Sequence, residues 1–199
     1  PQARERHTQM NHHTLISTEA LAANLSDPDL VVFDCRHDLM NVEAGRNAYA
    51  ADHIPGARFA HLDENLSGPK TGRSGRHPLP DVVALSNWLG QQGVAAGRQV
   101  VTYDASGGFF AARLWWMLRW LGHDTVAVLD GGLPKWKLEG RPLTQAAPNG
   151  QPATFTPRQR DALRVDVSTV LENLRSPDML IVDAPVSYTH LTLPTNREV

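Results

Sequence analysis

The chain has 199 residues, which at roughly 100–200 residues per domain is one large domain, or one domain and part of another. Hydrophobic residues make up 41% and charged residues 20%, a globular balance that excludes a disordered or fibrous chain. The formal net charge of −2 gives no field that would gather nucleic acid or an acidic membrane, and no apolar run approaches the ~18 residues of a bilayer span. No charged-then-apolar leader opens the sequence, so a cytoplasmic location is the expectation. The single cysteine, Cys35, excludes an internal disulfide and a cysteine-built zinc centre.

In chain order, residues 1–14 are polar, without period, and read as a disordered N-terminal tail with Met10 as a candidate start. His12 and His13 are adjacent there, but nothing orders them as metal ligands. Ser17 caps a first helix that carries Leu21 and Leu25 one turn apart, and Pro28-Asp29 breaks it. Leu30–Phe33 is a continuous apolar run and reads as a strand buried on both faces. Residues 36–52 read as loop with some helix, Ile54-Pro55-Gly56-Ala57 as a turn into a short strand, and residues 63–80 as a Gly/Pro/Arg-rich loop. Asp81 opens a helix with Val82, Leu85, Trp88 and Leu89 on one face. Gln99–Tyr103 is the next strand, Phe110–Leu121 a largely apolar helix, Thr125–Leu129 a strand and Leu133–Glu139 a short helix. Strands alternating with helices predict an α/β fold with a mostly parallel central sheet flanked by helices. That domain is expected over residues 15–144, and the Ala/Pro/Gln/Asn composition of 145–163 reads as linker.

After the linker the opening pattern returns. With Asp34 placed on Asp183 (183 − 34 = 149), Asn24, Leu25, Pro28 and Asp29 fall on Asn173, Leu174, Pro177 and Asp178 without a gap, and Leu30–Phe33 falls on Met179–Val182. A capped helix, a Pro-Asp break, an apolar strand and a closing Asp occurring twice in one register predict a tandem pair of similar domains, with residues 164–184 as the start of the second. Residues 185–199 match nothing in the first copy and read as foreign or frameshifted tail.

The loop Asp104–Gly108 lies between a strand and a helix, where ligands sit in α/β sheets. A loop opening a helix aims free N–H groups at one point, a setting that suits an anion or a thiolate. Asp104 stands where a nucleophile would, and capping the following helix is the simpler role for it. Cys35 follows a buried strand with Arg36 and His37 beside it but opens no glycine loop, so it reads as core. His53 reads as a buttress of the turn before Pro55, and Trp115, Trp116 and Trp120 as core without a basic stripe beside them. Lys70, Arg73 and Arg76 read as a solvated loop face that could also draw an anionic substrate.

Asp52-His53-Ile54-Pro55-Gly56-Ala57 resembles the His-Ile-Pro-Gly-Ala signature of the rhodanese family. Val101–Asp104, Ala112–Arg119 and Asp130-Gly131-Gly132 with Trp136 are similar to the N-terminal half of two-domain thiosulfate and 3-mercaptopyruvate sulfurtransferases. The resemblance covers about Leu15 to Ala184. It implies a rhodanese-like domain and a sulfurtransferase that moves sulfane sulfur from 3-mercaptopyruvate or thiosulfate to cyanide or a thiol, without a cofactor. The sulfur travels as a persulfide on a cysteine of the second domain, which this chain lacks. The implied partners are a small sulfur-containing substrate and a thiol or thioredoxin-like acceptor, with no nucleic acid and no membrane. It further implies catalytic interface roles for Asp63 and His77, and a substrate-binding role for Asp104, Ser106 and Arg113 around the cysteine-free loop; no metal is implied. On this reading the fragment is inactive alone. The alternative is a non-catalytic rhodanese-like docking module.

Overall fold

The computed structural model describes residues 10–72 and 74–182. Residues 1–9, Arg73, Asp183, Ala184 and the tail 185–199 lie outside the described residues. Five strands, β1 (Leu15–Ile16), β2 (Leu30–Asp34), β3 (Arg58–Phe59), β4 (Gln99–Tyr103) and β5 (Val126–Leu129), form one parallel sheet in the order β1-β5-β4-β2-β3. The helices are α1 (Thr18–Ala23), α2 (Ala44–Ala51), α3 (Val82–Gln91), α4 (Ala111–Trp120) and α5 (Gly132–Leu138). This is the α/β architecture that the alternation of elements predicts.

The apolar runs are continuous because the sheet is covered on both faces. Val31 and Phe33 of β2, Val100 of β4 and Val126 of β5 pack with Leu85 and Leu89 of α3 and Leu114, Met117 and Leu118 of α4. The alternate residues Val32, Val101, Tyr103, Ala127 and Leu129 turn to the other face, where Leu21, Leu133 and Trp136 meet them. Ser17 caps α1 by accepting from the Ala20 N–H at 3.1 Å, and Asp81 caps α3 through the Ala84 N–H at 2.9 Å. Among the described residues no helix is long and apolar enough to cross a membrane.

Two segments depart from expectation. Residues 10–14 are bound to the sheet rather than free. Met10 is buried, the Gln99 side chain accepts from the His12 N–H at 2.9 Å, and Trp115 Nε1 donates to the His13 carbonyl at 2.9 Å. These bonds run through backbone groups, which leave no period in a polar sequence. The second departure concerns residues 145–160, whose composition is that of a linker. They form no helix or strand, yet their backbone is tied along the domain: Ala153 N–H donates to Gly90 O, Arg158 N–H to Leu121 O and Arg160 N–H to Trp120 O, at 2.7–2.8 Å. Phe155 packs on the α3–α4 core. The chain divides after Arg160 into Pro1–Arg160 and Asp161–Val199.

Within the second unit a 3-10 turn (Asp161–Leu163) precedes α6 (Val167–Arg175). Asp166 caps α6 through the Thr169 N–H at 2.8 Å. The cap and its donor stand 149 residues after Ser17 and Ala20 (166 − 17 = 149; 169 − 20 = 149), in the register of the sequence repeat. The apolar run Met179–Val182, which repeats β2 in sequence, is half- to fully exposed and joins no sheet.

Candidate active site

The carboxyl ends of β2, β3 and β4 converge at one edge of the sheet, the position at which α/β folds place their ligands. Three groups of residues meet there, and each follows from how its strand ends.

The first group fastens the strand ends together. Asp34, fully buried, receives Nε and Nη2 of Arg36 at 2.9 and 2.7 Å and the Tyr103 hydroxyl at 2.8 Å. The same Tyr103 oxygen accepts from the Ile54 N–H at 3.2 Å. Residues 54–57 form a tight turn closed by Ala57 N–H on Ile54 O at 3.0 Å, with Pro55 and Gly56 in its centre; Gly56 at φ 78 takes the left-handed position. His53 is buried, stacks on Tyr49 with ring centroids 4.0 Å apart, and its ring nitrogens face the carbonyls of Tyr49 and Ala146. The His-Ile-Pro-Gly-Ala segment is thus a fastening between β2, β4 and residues 144–146.

Cys35 lies inside this fastening. It is buried, and burial, then the charges of Asp34 and Asp104, push its thiol well above the ordinary value. The adjacent Arg36 does not activate it, because its guanidinium is engaged by Asp34 and Asp52. A thiol in this setting is inert as a nucleophile.

The second group is the loop after β4. Asp104 is buried, and its carboxylate accepts four backbone N–H bonds: Ser106 and Gly108 on Oδ1 at 2.7 and 2.9 Å, Phe110 and Ala111 on Oδ2 at 2.8 Å each. Gly107 and Gly108, both at positive φ, let successive N–H groups turn inward. The loop is an anion cradle, and its own aspartate fills it. Asp104 therefore points into its loop rather than toward solvent. Ser106 is exposed and lines a shallow cavity of about 180 Å³ with Arg36, His37 and Ala48. Arg113, on α4, donates to the carbonyls of Leu66, His77 and Pro78 at 2.8–3.2 Å. These bonds hold the 66–78 loop, and the cavity lined by Ser106 includes neither Asp104 nor Arg113.

The third group centres on Asp63. Lys70 Nζ lies 2.9 Å from its Oδ1, His77 Nε2 3.6 Å from Oδ1 and His37 Nε2 3.8 Å from Oδ2. Asp63, just before the loop that Arg113 anchors, and His77, near that loop's end, are thus brought together. Lys70, with smaller contributions from His77 and His37, holds the Asp63 carboxyl below its usual range. Burial lowers both His77 and His37, outweighing the pull of Asp63, so both imidazoles are biased to the neutral form. Lys70 is part of this cluster rather than of a purely solvated face. His37 and His61 belong to it as well, with ring centroids 5.5 Å apart and nearly perpendicular. The sequence marks neither, since a histidine one residue past Arg36 and another in Ala60-His61-Leu62 carry no pattern of their own.

A family description, the rhodanese-like domain, matches residues 17–139. The chain is 43% identical over 177 residues to the "Probable 3-mercaptopyruvate sulfurtransferase" of Pseudomonas aeruginosa, covering 88% of this chain and 62% of the relative. It is 33% identical over 182 residues to the thiosulfate sulfurtransferase of Rattus norvegicus, covering 88% and 60%. Among solved structures it superposes on SseA from Escherichia coli, described as a 3-mercaptopyruvate sulfotransferase, with TM-score 0.80 and 26% identity over 90% of this chain and 68% of that one. The 3-mercaptopyruvate sulfurtransferase from Leishmania major gives TM-score 0.67 and 30% identity over 78% and 43%. The parallel sheet with its glycine-containing loop after β4 and the fastened His-Ile-Pro-Gly-Ala turn is a rhodanese-like domain, and the chain belongs to that family. It spans about 60% of the length of the curated relatives named here.

Proposed function

We propose that this chain is the first domain, with the start of a second, of a two-domain sulfurtransferase. The whole protein moves sulfane sulfur from 3-mercaptopyruvate or thiosulfate to cyanide or a thiol acceptor, through a persulfide on a cysteine of the second domain. The observation that carries this reading is the cradle after β4. It has the backbone shape that stabilises a thiolate, and a buried aspartate stands in the nucleophile's position. The one cysteine present is buried with a raised pKa. The chemistry therefore belongs to another domain, and this one contributes side chains at the interface.

Those side chains are Asp63 and His77. A neutral imidazole beside an ionised carboxylate can take a proton from a substrate thiol or hand one to an enolate, the carboxylate stabilising the imidazolium that forms. Arg113 acts through the backbone of His77 and positions it. The His77 loop and the 43% identity to the Pseudomonas relative favour 3-mercaptopyruvate over thiosulfate.

The test has two parts. The purified chain is expected to form no thiocyanate from thiosulfate and cyanide, and no sulfide from 3-mercaptopyruvate and a thiol. Activity that survives Cys35→Ser overturns the assignment of the nucleophile to another domain. The source reading frame past codon 184 is the second part: a continuing domain with a glycine-rich cysteine loop supports the enzyme, and a stop codon supports a docking module. One observation favours that second reading: Phe109, at the tip of the Asp104 loop, leaves an apolar ring 61% exposed.

A further inference from the structure

We propose that His37, His61 and Asp63 form a binding site for a zinc-class divalent ion. Each offers one ligand atom, and the three atoms all lie within 4.8 Å of one another. Two imidazoles and one carboxylate are a donor set that suits zinc, copper or nickel better than magnesium or calcium. The site shares Asp63 with the proposed proton-transfer pair, so its test reads zinc binding rather than sulfur transfer, and it departs from the sequence-based expectation of no metal.

His37 distinguishes this cluster from an ordinary group of polar side chains. Its side chain is 1% exposed, and neither Nδ1 nor Nε2 has a hydrogen-bond partner. Buried imidazoles normally find one. Its ring is held edge-on against His61, His77 and Phe110, so the orientation is set by packing. Nε2 lies 3.8 Å from Asp63 Oδ2. Two ligands of a tetrahedral zinc at ordinary bond lengths stand about 3.4 Å apart, so a closure of a few tenths of an ångström completes the pair.

His61 is already turned for the task. Its Nδ1 accepts from the N–H groups of Asp63 and Glu64 at 3.2 and 3.3 Å, so in the neutral ring the proton sits on Nε2, which faces the Val42 carbonyl at 3.2 Å. An imidazole whose N–H is anchored on a carbonyl has the supporting bond of a metal-ligating histidine, and its Nδ1 lone pair becomes a ligand once the two backbone donors are released. The two long bonds to Nδ1 are what the ion replaces. Lys70 must leave Asp63, and its side chain, 58% exposed, is free to swing into solvent. A fourth position remains for water or for His77, whose Nε2 is 3.6 Å from Asp63 Oδ1.

The experiment is calorimetric titration of the full chain with zinc chloride near neutral pH, with magnesium chloride as comparison. Three variants accompany it: Asp63→Asn, His37→Gln, and a tail variant with His7, His12 and His13 replaced by Gln. The expected result is one zinc per chain in the wild type and the tail variant with equal Kd, binding weakened about tenfold or more by Asp63→Asn and by His37→Gln, and no response to magnesium. Imidazole ¹⁵N shifts of His37 and His61 should move on zinc addition. Asp63→Asn lies on a loop, so it tests the site even if the buried His37→Gln fails to fold. Unchanged affinity in Asp63→Asn, loss of binding in the tail variant, no zinc uptake, or equal binding of magnesium each overturns the proposal.

Discussion

Arg113 Nη2 donates to the carbonyl oxygen of His77 at 3.0 Å. One guanidinium on α4 thereby fixes the backbone of a loop residue 36 positions earlier, and with Leu66 and Pro78 it holds both ends of the loop that carries Lys70 and His77. Replacing Arg113 by Ala removes charge-assisted bonds to three carbonyls. The expected cost is about 2–4 kcal/mol, read as a lower urea midpoint with unchanged m-value. Lys at this position reaches one carbonyl rather than three, so Arg113→Lys should recover less than half of the loss.

The loop after β4 depends on Asp104. Asp104→Ala leaves four backbone N–H groups without their acceptor, and about 2–4 kcal/mol of destabilisation is expected by urea unfolding. Asp104→Asn keeps one carbonyl oxygen and places an NH₂ against donors, so it should lie between wild type and Ala.

Asp104→Cys offers a sharper check on the cradle. A thiolate there gains the N–H donors that the carboxylate uses now, so its pKa should fall below that of a free thiol. In the Cys35→Ala background, its rate of alkylation by iodoacetamide at pH 7 should exceed that of Cys35 in the native chain by tenfold or more. Equal rates would show that the cradle does not stabilise a thiolate.

His123 gives the pH dependence a defined sign. It is 6% exposed, its Nε2 has no partner, and burial lowers its pKa. The unfolded chain then binds the proton more readily than the folded one. Above about pH 6.5 both states are neutral and the residue adds no pH dependence. As the pH falls through about 6.5 toward the folded value the unfolded state gains, and stability is lost. His123→Phe should flatten the fall in urea midpoint between pH 7 and pH 5; an unchanged slope would place the titrating group elsewhere.

Trypsin can read the segment 145–160. Arg158 and Arg160 are hydrogen-bonded through their N–H groups to Leu121 and Trp120, whereas Arg164 lies past the division after Arg160. Brief digestion should cut after Arg164 and spare Arg158 and Arg160. Early cleavage at Arg158 would count against an attached segment.

The central sheet was legible because β2 and β5 are largely buried and print apolar runs, and β4 carries Val100 and Val101 at its centre. Asp104 as a cap was legible from its place between a strand and a helix. What escaped the sequence is what the backbone does. Residues 10–14 dock through the Gln99 side chain and main-chain groups, and residues 145–160 attach through N–H groups that any residue but proline could supply. His37 was visible only as a neighbour of Cys35, since its place beside Asp63 depends on a loop whose path Arg113 sets.

The carboxylate of Asp104 is tethered to the loop it fills. A tethered group competes at an effective concentration that free ions in solution do not match. Sulfate, phosphate or a substrate carboxylate therefore has no opening at this point, and the loop keeps one shape whatever the ionic composition around it. At this one loop the domain brings to a partner a surface already shaped by its own aspartate.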